Sequence, residues 1–353
     1  MTLNAQASTQ TTFVAGAITG VGEVELLDIT HAEPDPGEAL VRIEATAICT
    51  WEQRTYSGAQ ENRLPFIGGH EIVGTIVEFG PGYKGTLNPG DRVALGSAAC
   101  GSCHWCHLGK DQLCAEHYSG AVEYAQGWGP GGFAEYKIHP ADGLYPIGDV
   151  PAVQASLTEP LSCALHAARL SGVEIGDDVV ILGAGVMGLM NLIAMKKHGA
   201  RVIVSEVDAG RLEKAKALGA DLVIDASKVD PVAAVLEATE GRGASIAVAA
   251  IGHRIANEQG LAMLANRGTF VAFAAAHPET PIEVSPNHLH KSERRIIGVV
   301  SSEKRDFHDA ARLVRLGLVD LSPLVQNTYP LAELKSALDE AIQPGTYRIV
   351  IEA

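Results

Sequence analysis

The run 179–195 constrains the fold more than any other stretch of this chain. It carries no charged residue and follows directly on Asp177 and Asp178. Its length approaches the roughly 20 apolar residues of a membrane span. Three of its residues, however, are glycines in the order Gly183-x-Gly185-x-x-Gly188. A buried strand that turns into a buried helix satisfies that order, and a continuous transmembrane helix does not. Between strand and helix each glycine has a task. Gly183 permits the tight turn, Gly185 lets backbone approach a pyrophosphate, and Gly188 lets helix pack on strand. The helix opens at Val186 and Met187, where unpaired N–H groups and the positive end of the helix dipole favour phosphate. A bare glycine pattern is a weak signal, but in this context it reads as a dinucleotide site.

The surrounding pattern agrees. After Glu159-Pro160 apolar strands and helical patterns alternate, with strands expected at 179–182, 201–205, 222–224, 246–250 and 269–273 and a helix at 186–198. Asp208 is placed to cap a second helix that ends at Gly219. This is the signature of a parallel, doubly wound sheet. Glu206 ends the second strand at about the spacing of a ribose-binding acid, some 20 residues on. A carboxylate there accepts from both ribose hydroxyls and repels a 2′-phosphate, which favours NAD over NADP. Arg211 is the counter-indication, because it could face that phosphate. Before about residue 151 the style differs, with short strands at 40–47, 72–79 and 91–95 separated by Gly and Pro turns. In the first of these Val41, Ile43, Ala45 and Ala47 share one face, and Arg42, Glu44 and Thr46 the other. A helix near 304–316 and a last strand at 347–351 are expected to return to this β-rich region.

The 353 residues suffice for two domains, and a net charge of −15 without a long basic run argues against a nucleic-acid partner. The first twelve residues are polar and read as a loose tail rather than a signal. Of six cysteines, Cys100, Cys103, Cys106 and Cys114 fall close together. Without a secretion signal such bunching means metal rather than disulfides, and a reducing cytoplasm is the natural compartment. Four thiolates complete a tetrahedral shell, so this is expected to be a structural zinc in a lobe at about 96–118. An iron–sulfur cluster is the rival reading. His104, His107 and His117 lie nearby but are not needed as ligands.

A second set of soft and hard donors lies at Cys49, His70 and Glu71. Together with the four-cysteine lobe, Gly131-Gly132-Phe133-Ala134-Glu135-Tyr136, Glu159-Pro160 and the glycine fingerprint, their order resembles that of zinc-dependent medium-chain alcohol dehydrogenases. The Glu-Pro at 159–160 is most similar to the sorbitol and threonine dehydrogenase branch. The resemblance implies a Rossmann doubly wound parallel sheet inserted in a β-rich GroES-like catalytic domain. On it, 1–160 would be catalytic, 161–300 would bind NAD, and 301–353 would return to the catalytic domain. It implies a catalytic zinc on Cys49 and His70, completed by Glu71 or Glu159, and hydride exchange between NAD and a secondary alcohol or polyol, or the matching ketone. It further implies a small-molecule substrate, no membrane partner, and a homotetramer, with a homodimer as the alternative.

One position departs from the family. Where a relay hydroxyl is usual, two places after the cysteine, this chain has Trp51, and the nearest hydroxyl is that of Thr50. Glu52 stands where an aspartate is usual and could accept from His70. Trp51 admits three readings: wall packing, a stacking face for a ring, or loss of ordinary alcohol oxidation. Arg54, Tyr56 and Trp128 are further candidates for the pocket. Two rival classes stay open: a carbonyl, quinone or enoyl reductase on the same fold, and a zinc-containing NAD-binding protein without alcohol turnover.

Overall fold

The computed structural model describes residues 11–31, 33–114, 122–276, 279 and 281–353. His117 and most of the expected N-terminal tail lie outside them. The chain divides into two compact units. One runs up to Glu159 and resumes as Glu303–Ala353, and the other is Pro160–Ser302.

The first unit is built on a seven-stranded sheet. Its order is Val325–Pro330, Arg348–Glu352, Glu38–Ala47, Glu71–Phe79, Arg92–Leu95 and Leu144–Pro146, with Tyr136–Pro140 also paired to Glu38–Ala47. The alternation in the 38–47 strand is realised: Val41, Ile43, Ala45 and Ala47 are buried, and Arg42 is exposed. Thr46, expected on the polar face, is buried too, because its hydroxyl donates to the Gly132 carbonyl at 2.9 Å. The last strand returns to this sheet and pairs on both edges, parallel to 325–330 and antiparallel to 38–47.

Two antiparallel registers decide where the chemistry falls. Ala47 lies opposite Glu71 and also opposite Val350. The chain leaving Ala47 therefore passes His70 on one side and Arg348 on the other. A bond from Ile48 N–H to the Ile349 carbonyl, 2.9 Å, carries the second pairing on towards Cys49.

The second unit holds a six-stranded sheet in the order Leu222–Asp225, Arg201–Glu206, Asp178–Leu182, Ala244–Ala249, Leu264–Ala272, Arg295–Gly298, with every pairing parallel. The uncharged run 179–195 lies in the buried strand Asp178–Leu182 and the helix Val186–Lys197. Among the described residues no helix is long and apolar enough to cross a membrane. Chain order reverses at Asp178–Leu182, whose neighbours are Arg201–Glu206 and Ala244–Ala249. In open parallel sheets ligands bind beyond the carboxyl ends of the strands at such a switch point.

Candidate active site

Cys49 is the N-cap of an α-helix, Thr50–Ser57. Glu52 is the third residue of the helix, and its Oε2 accepts from the Cys49 N–H at 3.1 Å, as in one half of a capping box. Its other oxygen accepts from the Gly69 N–H at 2.9 Å and lies 2.9 Å from His70 Nδ1. One buried carboxylate thus spans both segments that carry the candidate ligands.

The turn before His70 needs its glycines. Gly69 adopts a φ of 86°, and a Cβ there would stand 2.6 Å from the Thr46 side chain and 2.9 Å from the Gly132 backbone. Residues 130–133 lie against it. Gly132 N–H donates to the Gly68 and Gly69 carbonyls at 2.9 and 3.0 Å, and Phe133 N–H to Gly68 at 2.9 Å.

The donor atoms of Cys49, His70 and Glu71 all lie within 4.8 Å of one another. Arg348, which the sequence reading missed, donates to Glu71 Oε1 at 2.5 Å and to the Ile48 carbonyl at 3.2 Å. Glu71 Oε2 is buried and has no hydrogen-bond partner among the described residues. An orphaned carboxylate oxygen beside a thiol and an imidazole is a donor set that fits a zinc ion. The local charges at Cys49 and His70 agree. Burial raises the Cys49 thiol, but Arg348 and His70 outweigh it and hold the thiol below its usual value. Burial works against a charged His70, but Glu52 and the Cys49 sulfur raise the imidazole well above its ordinary range. The groups that favour an imidazolium here also favour a bound cation. For Glu71, burial raises the carboxyl well above the carboxylate range; Arg348 opposes this, while the charges of Cys49 and Glu159 add to it. Glu159 therefore lies close enough to act on Glu71 and Arg348 electrostatically.

Trp51 is half-buried, with its ring centroid 5.8 Å from that of His70 and 5.1 Å from that of Phe66. Thr50 is exposed. The Tyr56 hydroxyl donates to Asp339 at 2.5 Å and contacts the Gly22 carbonyl, so Tyr56 braces the helix 334–341 rather than standing free for a pocket. Trp128 packs edge-on against Phe66 and donates from Nε1 to the Arg63 carbonyl at 2.7 Å.

The four sulfurs of Cys100, Cys103, Cys106 and Cys114 form a second cluster within the same 4.8 Å limit. All six cysteines are free thiols. N–H groups point at the sulfurs: Cys103 N donates to Cys100 Sγ at 3.3 Å, and Cys100 N to Cys114 Sγ at 3.5 Å. Bonds from Ser102 and Cys103 lower the Cys100 thiol to about 6, which favours the thiolate that a metal needs. His107 Nε2 lies 2.8 Å from the Ser102 carbonyl, so that nitrogen is engaged away from the sulfurs.

In the second unit Gly183 has a φ of 95°, and a Cβ at Gly188 would stand 2.0 Å from the Gly183 carbonyl, so strand and helix meet too closely for any side chain there. Gly185 is the N-cap of the helix that Val186 and Met187 begin. Glu206 is 8% exposed. It accepts from Ala184 N–H at 2.8 Å, Val207 N–H at 2.7 Å and Asp208 N–H at 3.2 Å. The acid is thereby fixed beside the glycine turn, with Arg211 Nη1 at 3.9 Å from its Oε2.

Comparison with known proteins agrees with this geometry. Residues 35–149 match the alcohol dehydrogenase GroES-like domain, and 186–315 match the zinc-binding dehydrogenase domain. The chain is 34% identical over 322 residues to a sorbitol dehydrogenase of Halalkalibacterium halodurans, covering 89% of this chain and 91% of that protein. It is 29% identical over 338 residues to an erythritol/L-threitol dehydrogenase of Mycolicibacterium smegmatis, covering 91% of each. Among solved structures, a Sinorhizobium meliloti protein of zinc-binding dehydrogenase type, bound to NADP, superposes with a TM-score of 0.88 at 26% identity, covering 98% of this chain and all of that one. The chain belongs to the zinc-dependent alcohol dehydrogenase family of medium-chain dehydrogenases. Within it, this protein is an oxidoreductase with a GroES-like region and a Rossmann-type sheet.

Proposed function

We propose that this protein is a zinc-dependent dehydrogenase that exchanges hydride between NAD and a secondary alcohol or polyol, or reduces the matching ketone. The observation that carries the reading is the cluster of Cys49, His70 and Glu71 with an unpartnered buried carboxylate oxygen. When bound, zinc supplies Lewis acidity at an alcohol, and nicotinamide accepts the hydride. Cys49, His70 and Glu71 hold the ion, and Glu159 is the alternative carboxylate. Glu52 would fix the orientation of His70 by accepting a hydrogen bond from its Nδ1–H, which leaves Nε2 for the ion. Arg348 offsets the negative charge that Cys49, Glu71 and Glu159 bring together. A second ion in the four-cysteine lobe is structural.

Polyols as substrates rest on the sorbitol and erythritol/L-threitol dehydrogenases named above. Trp51 narrows the site beside His70 and offers a flat face to a carbon chain or ring. Glu206 supports NAD. The second reading, NADP, has two observations behind it: Arg211 next to Glu206, and the NADP in the Sinorhizobium meliloti structure. Bunched free thiols favour a reducing cytoplasm. A homotetramer is the assembly we take from the family resemblance, to be read by light scattering.

The experiment is metal analysis joined to a substrate panel. Two zincs per chain and turnover of at least one secondary alcohol or polyol with NAD are expected. One zinc or none would remove the catalytic-metal reading and reopen a zinc-free quinone or enoyl reductase. Two zincs with NAD binding, but no carbinol or ketone turned over, would leave a binding protein without this activity.

A further inference from the structure

Lys137 is a buried lysine that no part of the proposed chemistry uses. It lies on the strand Tyr136–Pro140, opposite Val41, and is 1% exposed. Its Nζ donates to the Pro130 carbonyl at 2.5 Å. A Cβ added at Gly131 would stand 3.2 Å from the Tyr124 hydroxyl and 3.7 Å from Lys137 Nζ, so amine and hydroxyl flank that glycine. The Tyr124 hydroxyl is buried without a partner among the described residues. Gly131 itself adopts a φ of 76°. Lys137 thus holds the Pro130 carbonyl next to the left-handed Gly131, at the start of residues 130–133.

Those four residues lie directly behind the ligand-bearing turn. Gly131 N–H donates to the Ile67 carbonyl at 2.9 Å, and the next two N–H groups reach Gly68 and Gly69. Thr46 secures the Gly132 carbonyl from the other side. The path from Lys137 to His70 is therefore short and made of hydrogen bonds: Nζ to Pro130, residues 131–133 to Gly68 and Gly69, then His70. Taking an amine into the interior is costly, and burial lowers Lys137 to about 7. A methionine would fill the same space without that cost but would leave the Pro130 carbonyl without this donor.

We propose that Lys137 is a positioning residue for the metal ligand His70, acting through residues 130–133 and the Gly68-Gly69 turn. The proposal rests on the reading of Cys49, His70 and Glu71 as zinc ligands. It concerns retention of the ion and not the hydride step.

The test follows zinc release from the purified, zinc-loaded full chain into excess chelator, well below its melting temperature. Cys49→Ser assigns which phase of release belongs to which cluster. Lys137→Met is expected to speed release from the Cys49–His70 site about tenfold, the low end for groups that orient a ligand from behind, and to leave the four-cysteine phase unchanged. Hydrogen exchange at the Gly132 and Phe133 amides should rise in the same variant. Lys137→Gln keeps a neutral donor and should recover part of the loss; it carries the measurement if Lys137→Met does not fold. A merely structural role would lower the melting temperature and speed both phases alike. That result, or an unchanged Cys49–His70 phase, overturns the proposal. If Cys49→Ser removes no phase from the wild-type pattern, the zinc-ligand reading fails first and this proposal with it.

Discussion

The Arg348 guanidinium donates to the Glu71 carboxylate at 2.5 Å, with the two side chains 4% and 0% exposed. Removing one partner of a buried pair strands the other charge, which typically costs about 3–5 kcal/mol. Arg348→Met is expected to lower the unfolding free energy by that order, read as a fall in the urea midpoint with an unchanged slope. Adding Glu71→Gln should recover part of the loss, since it removes the stranded carboxylate. An Arg348→Met protein as stable as the parent would show that the pair is not formed.

On the proposed reading, cofactor choice would turn on Glu206. Glu206→Ala removes an acceptor held by Ala184, Val207 and Asp208 and leaves Arg211, now 3.9 Å from it, without that carboxylate. The ratio of kcat/KM for NAD over NADP is expected to fall about tenfold, the effect of some 1.4 kcal/mol. Arg211→Ala in the same background should restore part of the ratio. No change in either variant would mean that Glu206 does not meet the ribose.

Cys103→Ser breaks a shell of four sulfurs. One zinc per chain should be lost, and the melting temperature should drop, by no more per kcal/mol than the about 2–4 °C of domains of roughly 150–250 residues, because the entropy of unfolding grows with chain length. KM for the alcohol should move little. Loss of turnover with both zincs retained would mean that the four-cysteine lobe is not the structural site.

His139 makes stability depend on pH. Burial, helped by the charge of Lys137, lowers its imidazole from 6.5 to about 3. Between those values the unfolded chain takes up a proton that the folded chain refuses. Its contribution to stability is therefore intact above pH 6.5 and is lost as pH falls towards 3, at up to about 1.4 kcal/mol per pH unit. His139→Leu should flatten that part of the acid limb in denaturation curves measured from pH 7 to pH 4. An acid limb of the same slope would show that His139 titrates in the folded state as it does in the unfolded one.

Lys137 and His139 also mark where pattern reading stops. In the strand Tyr136–Pro140 the buried positions are Lys137 and His139, and Tyr136 and Ile138 are half-buried. Alternation tells which residues share a face, but the polarity of their side chains points to the wrong face here. The strand pairs with 38–47 so that Lys137 falls opposite Val41. Arg348 was missed for a similar reason. One cation in an apolar terminal strand looks like a snorkelling end, and only the pairing of that strand with the chain leaving Ala47 brings it to Glu71.

By itself the sequence determined the parts whose physics is local. The glycine turn between strand and helix, the parallel βαβ order, the four-cysteine spacing and the alternating strand at 40–47 all follow from short-range sterics and periodicity. Cys49, His70 and Glu71 were legible as ligand types and as a family pattern. Tertiary structure decided what depends on register. It made Cys49 a helix cap, gave Glu52 to the Cys49 N–H and His70 together, and set Arg348 against Glu71. The physical reason is that this candidate site is assembled from the ends of strands distant in the chain, and the pairing of those ends is fixed by the burial of a whole sheet rather than by the residues of the site.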